Sequence, residues 1–183
     1  MLGIVFTEFM EMVEERFSPD VLDRIIEQAA PANQGAYTAV GYYPHEEIVA
    51  LVVALSEQTG LPAGALVQAF GEHLFGRFTQ GYASLIDGRR GTIDLLCQLD
   101  GDIHVAVRKL YPEARLPRFH VMSREGDTLH LAYESPRGME ALAQGLIVGA
   151  IRHFGESLQV DWEHGTYEGR PVSVFHVRPR PRP

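Results

Sequence analysis

Phe119-His120-Val121-Met122, followed by Ser123-Arg124-Glu125-Gly126-Asp127-Thr128 and then Leu129-His130-Leu131-Ala132-Tyr133, is the stretch whose period decides the fold. Both ends read as strands, and Glu125-Gly126-Asp127 between them is a turn signal, so the segment is expected to be a hairpin. Upstream of Pro117 the apolar period is that of helices instead. Residues 2–17 carry two stripes, Val5/Phe9/Met12 and Phe6/Met10/Val13/Phe17, which describe a helix covered on more than one side. Ser18-Pro19 supplies the cap and first turn of a second helix, with Leu22, Ile25, Ile26 and Ala29 turned inward. Pro44-His45-Glu46-Glu47 opens a third, which Gly60 closes, and a fourth beginning at Pro62 sets Leu66, Phe70, Leu74 and Phe78 on one face. A fifth is expected from about Thr92 to Lys109, with Leu96, Leu99, Ile103, Val107 and Leu110 along its seam.

Downstream of the hairpin, Gly138 to Phe154 is helical in period, and Leu158–Trp162 and Val172–Val177 alternate as a second strand pair around Glu168-Gly169. A helical first half followed by strands with one crossover helix is an α+β chain. It is expected to form one domain over residues 1–178, with a helical lobe over 1–62 and an α/β lobe over 63–178, followed by an Arg/Pro-rich tail at 179–183.

Composition narrows the partners. A formal charge of −8 argues against nucleic acid, whose phosphates are held by clustered Lys and Arg. The longest apolar run, Ile48 to Leu55, falls far short of the roughly 20 residues that span a bilayer. The N-terminus lacks the basic start of a signal peptide, and the single cysteine, Cys97, excludes an intrachain disulfide. A cytoplasmic protein without membrane or nucleic-acid partners is expected.

Tyr133, Ser135 and Arg137 occupy alternate positions of an extended segment, so two hydroxyls and a guanidinium can share one face and hold an anion such as a carboxylate. The competing reading is that Ser135-Pro136 starts a helix and Arg137 is solvated. His104 lies beside the apolar seam of the fifth helix, where an imidazole can ligate a metal or pack as a core residue. An imidazole combined with a carboxylate clamp suggests a cofactor carrying both iron and carboxylates, which is haem.

The chain resembles the haem nitric oxide/oxygen-binding (H-NOX) domains, relatives of the haem domain of soluble guanylate cyclase. The resemblance rests on Met1-Leu2-Gly3-Ile4-Val5-Phe6, Gly35-Ala36-Tyr37-Thr38, Phe70-Gly71, the run from Ile103-His104 through Leu110-Tyr111-Pro112, Leu116-Pro117, and Tyr133-Glu134-Ser135-Pro136-Arg137. It implies a helical lobe packed on an antiparallel sheet with haem b between them. By that resemblance His104 is the proximal iron ligand, Tyr133, Ser135 and Arg137 hold the propionates, and Pro117 presses on the porphyrin. Val5, Phe9, Leu74, Phe78, Leu142 and Leu146 are implied to line the pocket. Oxygen-binding members carry a tyrosine where Leu142 stands, so a sensor of nitric oxide that excludes oxygen is implied, with carbon monoxide a further ligand. A stand-alone, non-enzymatic sensor is expected, acting on a separate histidine kinase or cyclic-di-GMP enzyme. The cysteine cluster that binds zinc in some bacterial members is missing. The alternative is a haem-free domain of the same architecture that binds an apolar ligand or another protein.

Overall fold

The computed structural model describes residues 1–181. Helix α1 (Ile4–Arg16) lies at the centre of the first core and buries Phe6, Phe9, Met12 and Val13. Its entry is fixed by close backbone approach: a Cβ on Gly3 would lie 1.8 Å from the Thr38 carbonyl oxygen, so only glycine fits there. Tyr37 from the same connection stacks on Phe6 at 4.5 Å and donates to Glu47 at 2.7 Å. Helix α2 (Pro19–Ala29) begins as expected, with Ser18 Oγ accepting from the Val21 amide at 3.2 Å. Helix α3 (His45–Thr59) ends on Gly60, whose φ of 72° is the left-handed cap.

Helix α4 (Ala63–Gly81) gives Leu66, Phe70 and Leu74 to the core of the first three helices, while Phe75 packs in a second cluster with Leu95 and Ala150. It therefore touches both halves of the molecule. After the short α5 (Ala83–Ile86), the expected fifth helix proves to be three pieces: α6 (Thr92–Cys97), a π-turn at Leu99–Ile103, and α7 (His104–Leu110). The π-turn shifts the register, and Leu110 is left 61% exposed instead of lying on the seam.

The hairpin is present as β1 (Arg118–Glu125) and β2 (Thr128–Glu134), with a bulge between Val121 and Ser123. Helix α8 (Glu140–His153) then crosses to β3 (Leu158–Tyr167) and β4 (Arg170–Pro179). All pairings are antiparallel and the strand order is β1-β2-β4-β3. One face of the sheet presents Leu129, Leu131, Tyr133, Phe175 and Val177 to Ile147 and Ile151 of α8 and to Ile93 and Leu96 of α6. Pro179 ends β4, and Arg180 is tied to β3, its Nε donating to the Leu158 carbonyl at 3.0 Å. Arg182 and Pro183, the end of the expected tail, lie outside the described residues.

Helices α4 and α8 meet backbone to backbone, because glycines face each other where they cross. A Cβ on Gly71 would stand 2.5 Å from the Leu142 carbonyl oxygen, and one on Gly145 would stand 2.1 Å from that of Gln68. Among the described residues no single helix is long and apolar enough to cross a membrane.

Candidate cofactor site

A cavity of about 280 Å³ lies where α1, α4, α6, α7, α8 and the β1–β2 hairpin converge. Its walls are mostly apolar. Ile4 and Val5 come from α1, Leu74 and Phe78 from α4, Leu96 from α6, Leu99 and Ile103 from the π-turn, and Leu142 and Leu146 from α8. Pro117, just before β1, and Phe119, within it, close it from the sheet side.

His104 is 9% exposed at the first position of α7, and its Nδ1 lies 2.7 Å from Asp100 Oδ1 one turn earlier. That contact fixes Nδ1–H towards the carboxylate and leaves Nε2 as the ring nitrogen with a lone pair. Burial pushes the imidazole pKa down, against the opposing pull of Asp100, so the neutral, ligating form is favoured. Asp100 sits within the π-turn, which puts a carboxylate on the same side as the imidazole four residues later. The ring lies 5.9 Å from Phe119.

At another part of the wall stand Tyr133, Ser135 and Arg137, which all line the cavity. Tyr133 is buried, and burial raises its phenol pKa, so it remains a donor. Ser135 Oγ accepts from the Arg137 amide at 3.3 Å, and Arg137 Nη1 donates to the Arg115 carbonyl at 2.6 Å. Helix α8 starts only at Glu140, so Ser135-Pro136 is not its cap and the three side chains stay at the cavity.

Ten of the eleven residues singled out in the sequence come together here: Val5, Leu74, Phe78, His104, Pro117, Tyr133, Ser135, Arg137, Leu142 and Leu146. Phe9 does not line the cavity; it is fully buried and packs edge-on to Phe70 at 5.3 Å in the helical core. His73 and His153 do not reach it either. His73 lies 3.8 Å from Glu8, and His153 packs on Phe75 and Phe154. Sequence reasoning missed Asp100, whose spacing of four before His104 is a usable signal, and Tyr82 and Tyr111, whose hydroxyls meet at 3.3 Å across 29 positions and leave none.

The donor set fits an iron porphyrin. His104 carries the one imidazole in the lining, the arginines there have no lone pair to offer, and hydroxyls with a guanidinium suit carboxylates. No group of three or more His, Cys, Asp or Glu able to hold a metal ion occurs among the described residues. A metal brought in by a cofactor that supplies its own ligands needs only the single position His104 offers. Fold and cavity together define a cofactor-binding domain whose donors suit haem.

The chain belongs to the Haem-NO-binding family, whose model matches residues 2–162. An unliganded Fe(II) H-NOX protein from K. algicida is 32% identical, with a TM-score of 0.90 over 100% of this chain and 98% of that one. The Fe(II)NO form of an H-NOX protein from S. oneidensis is 26% identical, with a TM-score of 0.86 over 99% and 100% of the two chains. The IWP-051-bound, Fe(II)CO form of the H-NOX from Shewanella woodyi is 35% identical, with a TM-score of 0.84 over 100% and 96%. No curated protein sequence matches the chain. The family is one of haem-binding gas-sensor domains.

Proposed function

We propose that this chain holds haem b with His104 as its protein iron ligand, senses nitric oxide while excluding oxygen, and relays the signal to a separate protein without catalysing a reaction itself. Tyr133, Ser135 and Arg137 bind the propionates, and Pro117 and Phe119 pack against the macrocycle. Ferrous haem supplies the iron that takes up the gas; nitric oxide binds it strongly without help, whereas oxygen gains from a hydrogen-bond donor worth about 1.5–3 kcal/mol. One observation carries the selectivity: Ile4, Val5, Leu74, Phe75, Phe78, Leu142, Ala143, Leu146, Ile147 and Ala150, the lining from the body of α1, α4 and α8, contain no side-chain donor. The phenol of Tyr82 stands outside that set, at the end of α4, with its hydroxyl 3.3 Å from that of Tyr111. Carbon monoxide is expected to bind as well. The readers of the signal implied by the resemblance are a cytoplasmic histidine kinase or a cyclic-di-GMP enzyme.

The test is an anaerobic absorption spectrum of the reduced protein before and after each gas, on wild type and Leu142→Tyr. Wild type should respond to nitric oxide and not to brief oxygen exposure, and the variant should form an oxygen complex more readily. A stable oxygen complex in wild type sinks the selectivity, and a protein that takes up no haem on reconstitution sinks the whole reading.

Arg137 provides the strongest propionate contact. A charge-assisted hydrogen bond is worth about 1.5–3 kcal/mol, so Arg137→Ala should weaken haem retention by roughly 10- to 150-fold, more than loss of either hydroxyl. Transfer of haem to an excess of apomyoglobin measures it, and an unchanged transfer rate refutes the clamp.

A further inference from the structure

Helix α7, which begins with His104, is held by few contacts. Val105, Arg108, Lys109 and Leu110 are exposed, and among the described residues no side chain from Val105 to Leu110 makes a hydrogen bond or ion pair. At its first residue the anchor is His104, buried and bonded to Asp100. Just past its last residue the anchor is Tyr111, whose hydroxyl lies 3.3 Å from that of Tyr82. Tyr82 is itself the residue that ends α4, its amide closing the helix on the Phe78 carbonyl at 2.8 Å and its ring set edge-on to Phe78 at 5.9 Å. Tyr111 likewise closes α7 on the Val107 carbonyl at 2.8 Å. The end of α4 and the end of α7 opposite His104 are thus clasped by a phenol pair that lines the cavity.

We propose that Tyr82 and Tyr111 form a latch that positions His104 from the far end of α7. The inference rests on His104 being the iron ligand. The geometry gives the latch a distinct task. If the His104 anchor is released, the phenol pair is the polar link that still joins α7 to α4. Burial together with the hydrogen bond to Tyr111 raises the Tyr82 phenol to about 12, so its hydroxyl stays protonated throughout the physiological range. Phenylalanine keeps each ring in place and removes only the hydroxyl, which makes the latch separable from packing.

The experiment compares wild type with Tyr82→Phe, Tyr111→Phe and the double variant. Amide hydrogen exchange is followed in haem-free and haem-loaded protein, and the iron–histidine vibration is read by resonance Raman on the reduced, loaded protein. A single net hydrogen bond predicts exchange over residues 105–111 that is about three- to tenfold faster in each single variant. The double variant should be no faster than either single one, exchange in α8 and β4 should be unchanged, and the vibration should shift. Leu110→Ala, on the exposed side of α7, should leave the vibration where it is. Unchanged exchange over 105–111, or an increase shared by the whole chain, overturns the latch. Faster exchange with an unmoved vibration overturns its action on His104. If wild type takes up no haem, the reading of His104 as a ligand falls and its positioning role with it, while exchange in that protein still decides whether the clasp exists.

Discussion

His104→Ala is expected to abolish the histidine-ligated spectrum of the reduced protein and to lower haem affinity by more than the roughly 10- to 100-fold that loss of an outer-shell partner costs a metal site. The reasoning is one of inventory. The lining offers phenols, a hydroxyl, guanidiniums and the thioethers of Met1 and Met139, and His104 carries its one imidazole. Asp100 already takes Nδ1–H, which sets the tautomer with a free Nε2. Removing the ring also empties the space it fills, so millimolar imidazole should restore a nitrogen-ligated spectrum in the variant. Spectra of the reduced variant that match wild type without imidazole would remove His104 from the site.

The second large effect concerns the scaffold. Gly145→Ala would place a methyl 2.1 Å from the Gln68 carbonyl oxygen and 2.9 Å from the Gly71 Cα, both backbone atoms of α4 that cannot rotate aside. Helices α4 and α8 would have to separate, and α8 carries Leu142 and Leu146 of the cavity wall. We expect a loss of about 3 kcal/mol, read as a fall in Tm of roughly 6–12 °C for a chain of this size. Gly76→Ala on α4 is the matched control. A Cβ there meets nothing within 4 Å, so the better helix former should be neutral or stabilising by up to about 1 kcal/mol. Equal melting temperatures for Gly145→Ala and wild type would show that the helices do not approach this closely in solution.

Which parts of the architecture could be read from the sequence follows from how local their causes are. The start of α2 is written in Ser18-Pro19, the end of α3 in Gly60, and the two hairpins in Gly126-Asp127 and Glu168-Gly169, because each depends on a few adjacent residues. The π-turn was not legible. Apolar residues continue at helical spacing through Leu99 and Ile103, and one extra residue per turn changes which side chain faces inward without changing that pattern; only Gly101 hints at a break. This is why Leu110 was expected on the seam and is found exposed. Phe9 shows a related limit. Its stripe correctly places it inside, but a helix covered on more than one side has several inward directions, and the one Phe9 takes leads to Phe70, with Phe9 outside the cavity lining. The phenol pair depends on two helix ends meeting in space, and no local rule anticipates it.

The π-turn and α7 follow a firmly fixed base. Glu156, from the loop before β3, reaches back to accept the Thr92 amide at 2.9 Å, and Gly91 leaves room for it, since a Cβ there would lie 2.2 Å from Glu156 Oε1. Thr92 is fully buried, and Arg89 ties the preceding loop to Asp102 at 3.2 Å. The base of this arm is therefore a fulcrum, the π-turn is its joint, and α7 is a beam held at its far end by Tyr111. With Thr92 fixed at one end and Tyr111 clasped at the other, a shift at the imidazole would load the phenol pair and not be released at the solvent-facing Leu110.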